Sequence, residues 1–376
     1  MSTARTAPTV ALTVEQLWQP APGGSGTYIR ELARALVRLT DVVGISARHE
    51  GEPPGGPLPH PIVASRLPRP ALYEAWSRLR RPRPRGVAGD ADVLHATTWA
   101  IPGARQPLVV TVHDLAFLRQ PEHFTARGNA FFRRAWRTVV REARVVVVPS
   151  RTTAEDCVAA GLDAARIAVV PHGVRVPPID RAALDMFRAA HRLQRPYILW
   201  VGTLEPRKNL GVLLEAFGQV ARATDDVDLV IAGPKGWGGA GEHVRATLRS
   251  LPADRVHVIG SMTFHELHCA YAGARTFCFP SVWEGFGMPV LEAMAHGIPV
   301  VTSAGTSMAE VAEGAALLGD PAHADGWGDM LLHAVGEGHD ELAAQGLARA
   351  ARSTWEAAAA ATLEAYLRAC PSIAGA

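Results

Sequence analysis

One pattern constrains this chain more than any other. Short, nearly continuous apolar runs rich in Val and Ile alternate with helix-length segments that carry apolar residues along one face. The first set of runs lies at 9–14, 42–46, 92–96, 108–113, 144–148 and 167–170. Helical patterns at 27–39, 131–143 and 152–160 fall between them. In the first of these, Ile29, Leu32, Ala33, Leu36 and Val37 share a face. The pattern then restarts. Runs at 197–201, 228–232, 255–259, 275–280, 299–302 and 315–318 alternate with helices at 210–223, 242–250, 265–272, 289–296 and 307–313. Strands apolar on both faces belong in parallel sheets covered by helices on both sides. The fold class expected is therefore α/β, with two Rossmann-like, doubly wound halves.

Length agrees with that division. At about 150 residues per domain, 376 residues make two. The expected units are an N-terminal domain over 1–185, a second over 186–352 and a single alanine-rich closing helix over 353–376. A 48% hydrophobic, 20% charged composition suits a globular enzyme and excludes a disordered chain. No apolar run approaches the ~20 residues that span a bilayer. Residues 1–8 lack a signal-peptide core, which argues for a cytoplasmic protein. Cys157, Cys269, Cys278 and Cys370 show no metal-ligand spacing and read as reduced thiols. Charge is uneven. Residues 1–185 hold 24 Lys and Arg against 16 Asp and Glu, and the rest hold 14 against 20. Only two cations are lysine, Lys208 and Lys235, which draws attention to each. Lys235 acquires no role from the sequence.

The strongest chemical signal is the stretch from Pro280 to Gly297. A strand runs into a loop holding Glu284, Gly285 and Gly287, and Pro289 then suits a first helical position. Such a helix start offers free N–H groups and a positive dipole end to an anion, most naturally phosphate. Glu284 before the helix and Glu292 inside it would meet hydroxyls on either side of that phosphate. A nucleotide sugar has this order of groups. The second signal, Gly202-Thr203 through Arg207-Lys208, follows the first strand of the second half, where a doubly wound sheet opens its crevice. Two cations there would neutralise a diphosphate and stabilise it as a leaving group. A third, the glycine run 23–26, precedes the 27–39 helix like a phosphate loop but lacks a Walker lysine. The fourth is His113, at a strand's C-terminal end. Residues 65–86 stand apart. Seven arginines, from Arg66 to Arg85, interleave with prolines, and Leu72, Tyr73, Trp76 and Leu79 make a small apolar face. This segment reads as a solvated loop, or as a basic surface for anionic membrane lipid or an anionic acceptor.

These residues resemble the retaining glycosyltransferases of family 4, with their GT-B architecture of two Rossmann-like domains facing a central cleft. Glu284 and Glu292 match that family's pair of glutamates. The resemblance implies a donor-binding second domain, an acceptor-side first domain and a last helix crossing back onto the first. It implies that Glu292 binds the donor ribose and that Glu284 contacts hydroxyls of the transferred sugar. Phe286, Gly287 and Met288 would meet the distal phosphate or the sugar. Lys208 and Arg207 would take the diphosphate, with Gly202 and Thr203 beside it. Gly24 would approach the diphosphate from the first domain, and His113 would lie near the donor sugar. Thr203 stands where many members carry arginine, and His172 where relatives often have asparagine.

The expected reaction is metal-independent, cofactor-free transfer of a hexose from a nucleotide-diphosphate sugar to an acceptor hydroxyl, with retention. GDP-mannose stands first as donor and UDP- or dTDP-sugars next. The acceptor is a saccharide, a lipid-linked saccharide or a small molecule, and nucleic acid is not an expected partner. The protein would be cytoplasmic, with the basic segment placing it at the inner face of the membrane. A sugar-nucleotide epimerase of the same architecture and a non-catalytic nucleotide-sugar-binding module are the alternatives.

Overall fold

A computed structural model describes residues 7–20, 22–234 and 242–371. Lys235 lies outside them. The chain divides into two compact units, one ending at Gly173 and resuming at Thr354, the other spanning Val174–Ser353. The first unit is built on seven parallel strands: β1 (Val10–Thr13), β2 (Val42–Ser46), β3 (Ile62–Ala64), β4 (Val93–Ala96), β5 (Leu108–Thr111), β6 (Ala143–Val148) and β7 (Ile167–Val169). They lie in the order β3-β2-β1-β4-β5-β6-β7. The second holds six: β8 (Tyr197–Val201), β9 (Asp228–Ala232), β10 (Val256–Gly260), β11 (Thr276–Phe279), β12 (Val300–Ser303) and β13 (Leu317–Gly319), in the order β10-β9-β8-β11-β12-β13. Every residue of β1, β4, β5, β9, β11 and β12 is buried, which is why these strands read as unbroken apolar runs. Each sheet reverses direction of growth once, at β1/β4 in the first and β8/β11 in the second. The α/β, doubly wound reading of both halves is therefore correct.

Several boundaries differ from expectation, each for a local reason. The edge strand β3 has three residues close after Pro61, too few for a periodicity to register. The first helix runs from Gly23 to Leu36, so the glycines taken as a loop form its opening turn. The helix Ala126–Glu142 starts earlier because Thr125 caps it, accepting from Gly128 N at 3.1 Å. The first unit closes at Gly173 rather than 185. The helix Arg181–Ala190, capped by Asp180, buries Phe187 in the second unit's core and packs on the helix Phe264–Ala272. The helices Trp327–Val335 and His339–Ala351 went unforeseen. The closing helix, Trp355–Ala369, belongs to the first unit. It packs on Gly23–Leu36, β5 and β6, burying Trp355 and Tyr366.

The solvated-loop reading of 65–86 is wrong. Arg69–Leu79 is a helix, and Leu72 and Trp76 enter the first unit's core. Most of the small apolar face thus points inward. Leu79 alone is left out, 69% exposed. Among the described residues no helix is long and apolar enough to cross a membrane.

Glycines follow β8 and β9 and end β10, and they lie against one another. Gly202 N donates to Ala232 O at 2.9 Å and Gly233 N to Gly260 O at 2.7 Å. Gly233 has φ +138°, and a Cβ there would stand 1.9 Å from Gly202 O. Gly233→Ala should therefore destabilise the protein by about 2 kcal/mol or more, read as a lower urea midpoint. An unchanged midpoint would contradict this packing.

Candidate active site

In a doubly wound sheet, ligands collect outside the carboxyl ends of the two strands where growth reverses. In the second unit these are β8 and β11. After β8 the chain makes a single 3-10 turn, Pro206–Lys208, closed by Asn209 in the left-handed region at φ 53°. After β11 it runs through Ser281 and Glu284 to the helix Met288–Ala295. The two loops are stitched together by their backbones. Arg207 O accepts from Val282 N at 2.8 Å and from Ser281 Oγ at 3.0 Å.

That stitching sets one carboxylate between two cations. Lys208 Nζ lies 2.5 Å from Glu284 Oε1, and Arg207 Nη1 lies 2.7 Å from Oε2. The Ser281 hydroxyl adds a contact to Oε1 at 2.7 Å, and Ser307 Oγ donates to the Glu284 carbonyl at 2.7 Å. Arg207 also reaches Glu205 at 3.4 Å. Lys208 is 9% exposed and sits 4.8 Å from the centre of the Phe279 ring, a cation–π distance. Burial alone would raise the Glu284 pKa, but the charges of Lys208 and Arg207 outweigh it and hold the group at about 2. Glu284 is thus ionised throughout the ordinary pH range. A depressed carboxylate stabilises the fold above its unfolded pKa and loses that contribution as pH falls through the folded value. Glu284→Gln should cost about 3 kcal/mol near neutral pH, because it leaves a buried ammonium unpaired. Denaturant titrations should show the gap between variant and parent narrowing from pH 4.5 downward. A pH-independent gap would contradict an ionised Glu284.

The helix start follows directly. Gly287 has φ +97° and abuts Met308, whose Cγ would stand 2.7 Å from an added Cβ. Only glycine fits both demands. Phe286 is buried, and Met288 and Pro289 open the helix. Pro289 carries no N–H and Val290 N donates to Gly287 O at 3.0 Å, which leaves the Met288 N–H at the helix start. One turn in, Glu292 Oε2 accepts from the Tyr271 hydroxyl at 3.1 Å. Burial raises Glu292 to about 7, and the Tyr271 bond lowers it only in part. So the two glutamates differ sharply: Glu284 is locked as an anion, and Glu292 is poised between states near neutrality. Gly202 and Thr203 lie on the β8 side of this site, before the cationic turn.

Gly24 and His113 belong to the first unit. Gly24 is exposed in the opening turn of the helix Gly23–Leu36, which follows β1. His113 follows β5. Its Nε2 lies 3.0 Å from Thr97 O, so Nε2 is the donor and the neutral ring keeps its lone pair on Nδ1. Burial pulls this imidazole below its ordinary pKa, with Asp114 pulling the other way. Tyr28 packs edge-on against His113 at 4.9 Å and lies 4.7 Å from His172. Behind it runs a buried chain: Tyr28 Oη to Thr111 Oγ1 at 2.8 Å, Thr111 Oγ1 to His95 Nε2 at 2.7 Å, and His95 Nδ1 to Tyr366 Oη at 2.7 Å.

Two family models match this chain where the two sites lie. Residues 183–335 match glycosyl transferases group 1, and residues 22–176 match Glycosyltransferase Family 4. The chain belongs to glycosyltransferase family 4. Among relatives of this glycosyltransferase is the O-antigen chain mannosyltransferase B of Escherichia coli, 29% identical over 309 residues, covering 79% of this chain and 80% of the relative. The MMP alpha-(1->4)-mannosyltransferase of Mycolicibacterium hassiacum is 28% identical over 333 residues, covering 77% and 79%. Similar solved structures include Anabaena Alr3699/HepE in complex with UDP and glucose, at TM-score 0.73 and 18% identity over 95% of this chain and 99% of that one. WaaG, a glycosyltransferase involved in lipopolysaccharide biosynthesis, aligns at TM-score 0.67 and 18% identity over 94% and 98%. These likenesses assign the GT-B fold.

In this glycosyltransferase the structure joins Arg207, Lys208 and Glu284 directly and sets Glu292 on the adjoining helix. Sequence reasoning missed Ser281, Ser307 and Tyr271. The serines are close to Glu284 in space, and only Ser281 lies near it in the chain. Among the described residues no three His, Cys, Asp or Glu side chains stand together as a metal-ligand group.

Proposed function

We propose that this glycosyltransferase transfers a hexose, with retention of anomeric configuration, from a nucleotide-diphosphate sugar to an acceptor hydroxyl. The observation that carries the reading is the buried Arg207–Glu284–Lys208 cluster beside the Gly287–Met288 helix start. Two fixed cations and a helix N-terminus favour a diphosphate both as ligand and as departing group. They supply charge that a divalent ion supplies elsewhere, so transfer is metal-independent. Glu292 takes the ribose hydroxyls, and Glu284 meets hydroxyls of the transferred sugar. In the first unit the neutral His113 keeps its Nδ1 lone pair at the end of β5, and Gly24 stands in the helix turn after β1.

In the reaction the bond from the anomeric carbon to the distal phosphate oxygen breaks, and the nucleoside diphosphate leaves with the electron pair. The acceptor oxygen bonds to the same face of the anomeric carbon. Its proton passes to the leaving phosphate oxygen. GDP-mannose is the first donor to test, because relatives are named mannosyltransferases. UDP-sugars come next, since the solved relative Alr3699/HepE is described with UDP and glucose. The acceptor is a saccharide, lipid-linked or free, or a small molecule. With GDP-mannose and octyl α-mannoside, Lys208→Ala should lose about 100-fold or more in kcat, since it removes charge stabilisation at the leaving group. EDTA should leave the wild-type rate unchanged, and the product linkage should be α by NMR. An unaltered rate in Lys208→Ala would overturn the leaving-group role.

A second reading concerns location. Arg66, Arg78, Arg81, Arg83 and Arg85 are exposed, and Leu79 and Val87 stand out among them. The helix Ala126–Glu142 packs beside Arg69–Leu79 and exposes Arg127, Arg133 and Arg137. Basic residues around protruding apolar ones suit an anionic lipid surface, each cation contributing ~1 kcal/mol near it. The protein then works in the cytoplasm against the inner leaflet. It should co-sediment with phosphatidylglycerol vesicles and not with phosphatidylcholine. Arg81→Glu with Arg85→Glu should abolish that without altering transfer to a soluble acceptor.

A further inference from the structure

The hydroxyl that orients Glu292 comes from a residue outside the glycine-loop motif. Tyr271 lies on the helix Phe264–Ala272 and is fully buried. That helix is fixed at its start by a capping box, in which Thr263 and Glu266 bond each other's backbone N–H groups. The Tyr271 ring is held from two sides. His296, at the end of the helix Met288–Ala295, stacks on it at 5.5 Å and 17°, and Phe277 of β11 lies 5.5 Å away. His296 is itself tied down, its Nε2 sharing a hydrogen bond with His268 Nδ1 at 2.8 Å. His268 is 1% exposed. A ring with so little freedom points its hydroxyl in one direction, and that direction is Glu292 Oε2.

A carboxylate has about four acceptor sites on its two oxygens. The Tyr271 bond occupies one, on Oε2, and leaves Oε1 able to accept from a vicinal diol. We propose that Tyr271 is a positioning residue for nucleotide recognition: clamped by His268 and His296, it holds the Glu292 carboxylate in the orientation that receives the donor's ribose hydroxyls. The inference rests on the reading of Glu292 as the ribose ligand. It explains why a tyrosine is buried with its hydroxyl spent on a carboxylate rather than on backbone. The titratable groups packed on the tyrosine are His268 on its own helix and His296 at the end of the glutamate's helix. Burial lowers both histidines to about 4. Both are neutral from pH 6 to 8.5, where the terminal phosphate of the nucleotide also titrates, so the part of the pH dependence that Glu292→Ala removes reports Glu292. The Tyr271 bond favours the ionised form of Glu292, the form that accepts from two hydroxyls.

The test is calorimetric titration of GDP, UDP, 2′-deoxy-GDP and pyrophosphate into the full chain, comparing wild type, Tyr271→Phe and Glu292→Ala. Tyr271→Phe should weaken whichever of GDP and UDP binds by about tenfold, the loss of one hydrogen bond to a charged group. Where GDP is bound, its advantage over 2′-deoxy-GDP should shrink, and pyrophosphate affinity should stay unchanged. The pH midpoint for tight nucleotide binding should also move upward, so that affinity recovers partly at pH 8.5. A merely packing role would not give a pH-reversible loss confined to ribose. Full nucleotide affinity in Tyr271→Phe, with affinity lost in Glu292→Ala, overturns the positioning role alone. Full affinity in Glu292→Ala, or a wild type that binds neither GDP nor UDP, overturns the ribose reading and this inference with it. An equal loss for pyrophosphate overturns the positioning role in favour of a general distortion. Should Tyr271→Phe not fold, His296→Ala keeps the hydroxyl and frees the ring; it should give the same ribose-specific loss, and unchanged binding there overturns the clamp.

Discussion

One carboxylate shared by two cations organises the second unit. Glu284 spans the reversal point of the sheet, joining the turn after β8 to the loop after β11 through Lys208 and Arg207. The turn after β8 and the loop after β11 meet at that junction. The backbone bonds between Arg207 and Val282 fix the loops, and Ser281 and Ser307 hold the glutamate by its side chain and its carbonyl. Burying a lysine without an anion would cost several kcal/mol, so Glu284 keeps Lys208 charged and aimed before any ligand arrives. On the proposed function, a diphosphate takes over that partnership, and Glu284 is released toward the sugar. The site is preorganised in charge and changes partners rather than building its field anew.

The two glutamates carry different chemistry because their surroundings differ. Glu284 faces two cations and stays ionised. Glu292 faces a phenol and apolar neighbours, and burial lifts it to about 7. Two residues eight positions apart thus serve an anionic anchor and a hydroxyl acceptor tuned near neutrality. The first unit shows the same economy. The buried chain from Tyr28 through Thr111 and His95 to Tyr366 ties the closing helix to the strand ends where His113 stands. His172, which the sequence left without a role, stacks on Trp355 of that helix at 5.8 Å and lies tilted against Tyr28. It is part of the support around His113.

Much of this was legible in the sequence because the constraints are local. The alternation of buried strands and one-faced helices fixes a doubly wound fold, and what escaped it were the three-residue β3 and helices such as Arg69–Leu79, Arg181–Ala190, Trp327–Val335 and His339–Ala351. Gly287 and Pro289 announce a helix start by backbone demands that few other residues meet. What could not be read was partnership across the chain. Lys208 and Glu284 are 76 positions apart, and no periodicity reports that they touch. Tyr271 looks like any core aromatic until its hydroxyl is seen on Glu292. The helix Arg69–Leu79 was hidden by arginines and prolines that resemble a linker, although Leu72 and Trp76 already had helical spacing.

The central claim is that the Arg207–Glu284–Lys208 cluster is built for a diphosphate. Equilibrium binding of GDP against GMP, and of UDP against UMP, measures this most directly. The account predicts that a diphosphate binds at least about tenfold more tightly than its monophosphate, ~1.4 kcal/mol, and that the preference vanishes in Lys208→Ala. Equal affinity for mono- and diphosphate, or a preference that survives Lys208→Ala, would contradict it.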